Sequence, residues 1–346
     1  MTNIQDHIID QNVSIKEALA QINKLPKTQT LFVVNGNNQL LGTLTDGDIR
    51  RGFLKGNTLE DKVDSFIPEK FHSLENGIDV HHIRQLKKKG IRLLPVLNQN
   101  KEIEKVYDLH QLKSVLPLDA VIMAGGRGER LKPITDTIPK PMIKLGNKPI
   151  IEYNIDHLIS YGIENIYLAV NYLKEQIIEY FGNGSNKGIS IKYIEESDPM
   201  GTAGALSLVD GFENDVLLTN SDLFTNIDYE DFYLAFLDKQ ADMAIASVPY
   251  TVNIPYAILE EENSFIHGFK EKPSNTHYAN AGIYIIQKEL VKTIPEGTFY
   301  NATNLIQDMI DSNKKIIHNP LIGYWNDIGK PEDLNRAQEI VNHQQI

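Results

Sequence analysis

The sequence predicts an α/β protein in two parts: a mixed, mostly parallel sheet covered on both faces by helices, preceded by a smaller α+β unit. Three observations carry this. From Ala120 onward, apolar strand-like runs alternate with longer amphipathic segments, the pattern of βαβ units. Over residues 1–116, a helix–strand–strand–helix order occurs twice, with a period of roughly 60 residues. A glycine-rich turn follows the first apolar run of the larger part, at the strand end where such sheets bind ligands. The length of 346 residues suits two domains at a prior of roughly 150 residues each.

Taken in order, Ser14-Ile-Lys-Glu17 fits a helix capping box followed by apolar Ala18, Leu19 and Ile22. A strand is expected at Leu31–Val34, a turn at Asn35–Asn38, a second strand at Gln39–Leu44 and a helix at Asp46–Phe53. The second copy predicts a helix around Gly77–Lys89, strands at Arg92–Val96 and Glu102–Val106 about a turn at Leu97–Lys101, and a short helix from Asp108. Leu116-Pro-Leu-Asp119 reads as a linker, so the boundary is placed between residues 116 and 117. Beyond it, strand and helix periods alternate through Ala120–Met123, Pro149–Tyr161, Asn165–Val170, Leu173–Phe181, Ile189–Ile194, Ala203–Val209 and Val216–Thr219, with Ala203–Val209 expected as a helix.

Composition narrows the chemistry. Hydrophobic residues make up 41% and charged residues 23%, ordinary for a folded globule and unlike a disordered chain. There is no cysteine, which excludes disulfides, thiolate metal sites and Cys nucleophiles. The ten histidines, His81-His82 among them, show no metal-ligand spacing. With 34 Lys+Arg against 46 Asp+Glu, the net charge is −12, a surface that repels nucleic acid and anionic membrane. The polar start lacks a signal-peptide core and no run of about 18 apolar residues occurs, so a cytoplasmic location without membrane spans is expected.

Immediately after Ala120–Met123 comes AGGRGERLKPITDTIPKPM, residues 124–142. Gly125, Gly126 and Gly128 allow a sharp turn whose backbone N–H groups approach an anion. A dinucleotide fingerprint would need glycine at Leu131, and no Gly-Lys-Ser/Thr completes a P-loop. Residues 124–148 hold six basic and two acidic residues, a net +4 inside a −12 chain. The turn, the preceding strand and this concentration of charge together predict a phosphate site.

This stretch resembles the GGxGxRLxPxT…PKP signature of sugar-1-phosphate nucleotidyltransferases, with Glu129 where Thr or Ser is usual. The resemblance continues through 181–196, Pro199-Met-Gly-Thr-Ala-Gly-Ala205, Asn220-Ser-Asp222, Phe269-Lys-Glu-Lys-Pro273, Asn280-Ala-Gly282 and Trp325-Asn-Asp-Ile-Gly329. It implies a Rossmann-like catalytic domain at 117–346. The first part, through Gly42-Thr-Leu-Thr45-Asp46-Gly-Asp48, resembles a CBS-domain pair at 1–116. Its second copy, Lys105–His110, lacks the matching Thr and Gly. Together the parts are similar to CBS-containing glucosamine-1-phosphate and mannose-1-phosphate guanylyltransferases of flagellin and capsule sugar pathways.

Residue roles follow from the resemblance and agree with physical argument. The reaction implied is attack of a sugar-1-phosphate oxygen on the α-phosphate of an NTP, with pyrophosphate leaving. A phosphate monoester is already an oxyanion, so positioning and charge neutralisation suffice. Arg130 is expected to fork onto the β/γ-phosphates and Lys140, between two prolines, to reach the α-phosphate. Asp222 resembles the metal-binding Asp, preceded here by Ser221 where Gly is usual, and Asp327 the second carboxylate, a pair suited to Mg²⁺. Ala124, Gly125, Gly126 and Gly128 would cradle the nucleotide, and Gly201 and Thr202 would face its base. Glu271, Lys272, Asn280 and Gly282 would hold the sugar phosphate. In the CBS pair, Thr45 and Asp48 would hold an adenine nucleotide or only cap the following helix. GTP is the preferred NTP, with a uridylyl- or thymidylyltransferase as the alternative and a non-catalytic nucleotide sensor as the reading from another class. CBS pairs commonly dimerise, so a homo-oligomer is expected.

Overall fold

The computed structural model describes residues 4–25, 29–75 and 77–344. The chain divides into two compact units, Met1–Val115 and Leu116–Ile346.

The first unit contains β1 (Ile8–Asp10), α1 (Ile15–Ile22), β2 (Thr30–Val34), β3 (Leu40–Thr45) and α2 (Asp46–Leu54), then α3 (Val80–Lys88), β4 (Leu93–Leu97) and β5 (Ile103–Asp108). The expected capping box forms: the Glu17 N–H donates to the Ser14 hydroxyl and the Ser14 N–H to the Glu17 carboxylate. In the first half, β1 runs parallel to β2 and β2 antiparallel to β3. The second half repeats this, with a parallel bridge from Leu74 to Val96 in the place of β1 and an antiparallel β4–β5 pair. Even the turns match. The side-chain oxygen of Asn35 accepts from the N–H groups of Asn37 and Gln39, and that of Asn98 accepts from those of Asn100 and Glu102. Each half has its own buried cluster, and Phe32, Leu40, Leu93 and Leu97 fill the seam between halves. Two expectations change. No helix starts at Asp108, where a single turn capped by its carboxylate ends the copy. The linker is shorter than Leu116–Asp119, because Leu118 and Asp119 are already buried strand residues.

The second unit runs β6 (Leu118–Met123), β7 (Lys144–Leu145), β8 (Lys148–Pro149), α4 (Ile150–Ser160), β9 (Asn165–Val170), α5 (Lys174–Phe181) and β10 (Ser190–Glu195). It continues with β11 (Asp215–Asn220), β12 (Leu223–Thr225), α6 (Tyr229–Asp238), β13 (Met243–Asn253), β14 (Ile258–Glu262), β15 (Phe265–Lys270) and β16 (Ser274–Ile286). Last come α7 (Lys288–Val291), α8 (Ala302–Asp311), β17 (Ile316–Pro320), β18 (Trp325–Asp327) and α9 (Pro331–Gln344). The expected helix at Ala203–Val209 is a 3₁₀ stretch, Gly204–Leu208.

Seven strands form one sheet in the order β10-β9-β6-β11-β16-β13-β17. All neighbours pair in parallel except where β16 meets β11 and β13, so a single strand runs against six. Ala120, Val121 and Ile122 are successive and wholly buried, as a sheet covered on both faces requires. Asp119, buried at the start of β6, accepts from the backbone N–H groups of Glu213 and Asn214 and so anchors the turn entering β11. From β6 the chain steps outward through β9 to β10, then returns to β6's other side as β11. That reversal, between β6 and β11, is the topological switch point where an open α/β sheet leaves a crevice.

Candidate active site

The crevice is a cavity of about 540 Å³ at the carboxyl ends of β6, β10 and β11. Of the residues the sequence singled out, Gly125, Gly126, Gly128, Arg130, Lys140, Gly201, Thr202 and Asp222 line it. Ala124 does not: it is buried, and its N–H is committed to the Ala169 carbonyl, 2.7 Å away.

The glycines differ in what they permit. Gly128 has φ +63°, and a Cβ there would lie 2.9 Å from the Lys140 Cβ and 3.0 Å from the Thr135 Cγ2. Its carbonyl accepts from the Leu131 N–H and the Thr135 hydroxyl, which fixes the turn. A Cβ at Gly125 would come 2.5 Å from the Glu196 Oε2, whereas Gly126 faces open space. Lys140 follows Pro139 and begins a 3₁₀ turn that buries it to 8% exposure. Its ammonium contacts the Asp222 Oδ2, while the Asp222 Oδ1 is buried without a partner.

Asp222 is held by its surroundings. The Ser221 N–H donates to the Met123 carbonyl, the Asn154 amide to the Ser221 carbonyl, and the Ile328 N–H to the Asp222 carbonyl. The last bond belongs to the β12–β18 pairing, which sets Asp327 opposite Leu223 and so beside Asp222. Burial raises the Asp327 carboxyl above the ordinary range, and Asp222 adds to this; Lys140 and Arg130 oppose it. Asp327 thus joins the cluster from just outside the cavity lining. Among the described residues no group of three or more His, Cys, Asp or Glu is arranged to hold a metal. The unpartnered Oδ1 of Asp222 and the neighbouring Asp327 nonetheless fit a hard cation that completes its shell with phosphate oxygens and water.

Arg130 lies exposed against Gly329, where a Cβ would sit 3.0 Å from the guanidinium. Gly329 closes the Trp325–Gly329 motif of the sequence, where no role was assigned to it. Gly201 and Thr202 meet neighbours that the sequence did not suggest. Gly201, at φ +77°, leaves room for the Tyr300 carbonyl, 2.7 Å from its would-be Cβ. The Thr202 hydroxyl accepts from the Ala302 N–H at the start of α8, and its own N–H donates to the Asn301 side chain. The close approach made possible at Gly201 is therefore used by the protein, although both residues still line the cavity.

The expected sugar-phosphate residues separate. Asn280 and Gly282 sit where β16 enters the sheet; the Gly282 N–H donates to the Asn280 side chain, and a Cβ on Gly282 would reach 2.8 Å from Asn220, a lining residue. The Trp325 ring N–H fastens Ala281 between them. Glu271 and Lys272 are exposed in the turn before β16 and lie outside the cavity lining. Lys272 holds a left-handed φ of +43°, an uncommon backbone for lysine.

In the first unit, Thr45 and Asp48 form a capping box at the start of α2, and the second Asp48 oxygen pairs with Arg51. Their observed partners are local to one helical turn.

Glu196 is the functional candidate without an assigned role in the sequence reading. It follows β10, is 7% exposed, and lines the cavity with Oε1 unpartnered. Burial pushes its carboxyl up to about 7. Its sequence signals were its place at the end of the 181–196 stretch and its position just before Pro199-Met-Gly.

Comparison with known proteins agrees with this architecture. Residues 119–344 match the nucleotidyl transferase family and residues 4–55 match the CBS domain. The bifunctional protein GlmU of Methanocaldococcus jannaschii is 34% identical over 230 residues, covering 64% of this chain and 54% of its own. The chain therefore spans about half the length of these GlmU relatives. A D-glycero-α-D-manno-heptose 1-phosphate guanylyltransferase from Aneurinibacillus thermoaerophilus is 30% identical, covering 65% of this chain and 99% of its own. Among solved structures, HddC from Yersinia pseudotuberculosis superposes with a TM-score of 0.51 at 27% identity, covering 64% of this chain and 99% of that one. No helix among the described residues is long and apolar enough to cross a membrane. With the glycine turn, Lys140, Asp222 and Asp327 gathered at the switch point of a mostly parallel sheet, the chain belongs to the nucleotidyl transferase family and carries a CBS domain ahead of that fold.

Proposed function

We propose that the chain transfers a nucleoside monophosphate from an NTP, GTP by preference, to a hexose- or heptose-1-phosphate such as glucosamine-, mannose- or heptose-1-phosphate, releasing pyrophosphate. The observation that carries this is the meeting of a glycine turn, Arg130, Lys140 and Asp222 around one cavity, cations and carboxylate together. Guanine is favoured because the heptose 1-phosphate relative is a guanylyltransferase and HddC has been crystallised with GMP-PN.

A sugar-phosphate oxygen attacks the α-phosphorus; its new P–O bond forms as the bond to the β-phosphate oxygen breaks and pyrophosphate departs. The chain supplies position and charge. Gly126 and Gly128 bring backbone N–H groups toward the phosphates, and Arg130 forks onto their outer oxygens. Lys140 faces the charge building at the α-phosphate. Nucleotidyl transferases generally work with a divalent metal, and Asp222 with Asp327 would hold Mg²⁺, which supplies Lewis-acid neutralisation of the triphosphate. Asn280 and Gly282 would line the sugar side, and Glu271 and Lys272 would bind the sugar phosphate once their loop meets it.

The first unit, residues 1–116, serves in this reading as a regulatory or dimerising module, with an adenine nucleotide as the candidate ligand. A coupled pyrophosphate assay tests the proposal, crossing GTP, UTP, dTTP, CTP and ATP with several sugar-1-phosphates, with and without Mg²⁺. Metal-dependent pyrophosphate release with at least one pair is expected; none with any pair would support the non-catalytic sensor instead. Calorimetric titration of AMP and ATP tests the first unit.

A further inference from the structure

We infer that Arg127 is an arginine held in reserve: it rests on the ring of Tyr172 and turns into the cavity when a triphosphate enters, with Tyr172 as the positioning residue that sets its starting place. The inference rests on the transferase reading and deepens it. It begins with a mismatch of charge. The cations of the cavity wall are Arg130 and Lys140, and its carboxylates are Glu129, Asp222 and Glu196. The Lys140 ammonium is already committed to Asp222. Glu129, next to Arg130 in the chain, opposes its field, and Glu196, with its carboxyl at about 7, adds part of a further negative charge at neutral pH. The resting wall is therefore neutral or slightly negative, while an NTP stays an anion even with a divalent cation bound. Another cation has to join it.

Arg127 is placed to do so. It lies between Gly126 and Gly128, which both line the cavity, and is not itself part of the lining. The other cations of residues 124–148, Lys132, Lys144 and Lys148, have no lining residue as a chain neighbour. A Cβ at Gly126 would meet nothing within 4 Å, so an inward turn of Arg127 crosses no neighbour there. The exposed guanidinium sits 5.6 Å from the centre of the Tyr172 ring and, among the described residues, has no carboxylate partner.

The ring does not follow the arginine. The Tyr172 hydroxyl donates to the carbonyls of Thr135 and Asp136, at 3.0 and 3.2 Å, and the Gln176 amide to the Thr137 carbonyl at 2.9 Å. One residue earlier, the Asn171 amide donates to the Glu196 carbonyl. Tyr172 is thus fastened to the outer limb of the glycine loop, and the Thr135 hydroxyl carries that restraint to the Gly128 carbonyl. Magnitudes decide where the arginine sits. An exposed cation–π contact favours the resting place by about 2- to 5-fold. A forked, charge-assisted contact to phosphate oxygens is worth about 10- to 100-fold. Arg127 therefore stays on the ring in the empty protein and leaves it for a triphosphate, at a net gain of about 10-fold in affinity.

Calorimetry of the full chain with tripolyphosphate, a probe with neither base nor sugar, tests this. Arg127→Met should weaken binding about 10-fold at an unchanged unfolding temperature, and kcat/KM for the NTP should fall by a similar factor. Tyr172→Phe and Tyr172→Leu both lose the hydroxyl anchor, but only Tyr172→Leu also removes the resting place. Tripolyphosphate should therefore bind Tyr172→Leu about 2- to 5-fold more tightly than Tyr172→Phe, and the two should be equal once Arg127→Met is added. A ring that served only the fold would give the opposite order, with Tyr172→Leu the weaker binder. That order, or tripolyphosphate binding indifferent to Arg127→Met, would overturn the inference. If Arg127→Met weakens tripolyphosphate binding yet no sugar-1-phosphate reacts, the transferase reading fails and the assignment of Arg127 stands.

Discussion

Replacing Lys140 with Met separates what this lysine does for the fold from what it does for the reaction. Its ammonium is the partner of the Asp222 Oδ2, and the other Asp222 oxygen has none. Breaking a fully buried pair on one side costs about 3–5 kcal/mol. Here the side chains are 11% and 22% exposed, so water reaches the abandoned carboxylate and about 2 kcal/mol is a better figure. At about 2–4 °C per kcal/mol for a unit of this size, scanning fluorimetry should record a loss of about 4–8 °C. Adding Asp222→Asn should return much of that, because the stranded charge disappears. Catalysis behaves differently. Losing one positioned cation from the developing charge should lower kcat by about 10²–10³-fold, and the second substitution should restore none of it. Raising Mg²⁺ should stabilise Lys140→Met more than wild type, since Asp222 then has no ammonium to exchange. A variant that keeps kcat within threefold, or whose unfolding temperature does not move, would refute the assignment of Lys140 to both tasks.

Asp222→Asn should fold normally and lose most metal-dependent turnover, and near-full activity would remove Asp222 from the metal. Gly128→Ala places a Cβ 2.9 Å from the Lys140 Cβ at φ +63°, so about 1–2 kcal/mol of backbone strain and a rise in KM for the nucleotide are expected, read by denaturation and initial rates. Glu196 titrates near 7 in the folded chain against an ordinary 4.5, so the folded state binds the extra proton. Stability from this group is complete below pH 4.5 and declines as pH rises toward 7; Glu196→Gln should therefore gain in unfolding temperature over wild type across that window and hold the gain at pH 8. Thr45→Ala should cost about 1 kcal/mol through the lost cap, seen as faster amide exchange in α2; unchanged AMP heat in the same variant would limit Thr45 to capping.

Much of the cavity was legible in the sequence because its cradle is contiguous. One loop after one strand supplies the glycines, Arg130 and Lys140, so a local pattern encodes a local shape. Asp222 and Asp327 were legible through their flanking motifs, although their adjacency is a long-range strand pairing that no spacing predicts. Glu196 escaped because a single carboxylate at a strand end reads like any solvated Glu until the strand order places it on the cavity wall. The neighbours of Gly201 and Thr202 escaped for a similar reason: Tyr300, Asn301 and Ala302 are about a hundred residues away in the chain. Local patterns misled where backbone hydrogen bonding had the last word. Asp108 caps a single turn that does not extend although Leu109, Leu112 and Val115 pack inward after it, and Gly204–Leu208 tightens into a 3₁₀ stretch whose start is tied to the Tyr300 carbonyl.

The single reversed strand has a consequence for how such a protein can change. Because β16 travels against its neighbours, the chain arrives at the crevice through Asn280–Gly282 rather than departing from it, and everything before that point hangs off the sheet as an arm built from the outer halves of β13 and β16 and the β14–β15 hairpin. Tyr250, Tyr256, Phe265 and Phe269 on that arm are exposed and support none of the nucleotide cradle. Lengthening, shortening or exchanging the arm leaves the register of β6, β10 and β11 untouched. The arm is thereby free to vary while the cavity lining stays fixed, so on the proposed transferase reading acceptor preference can diversify by grafting without re-evolving the residues around Lys140 and Asp222.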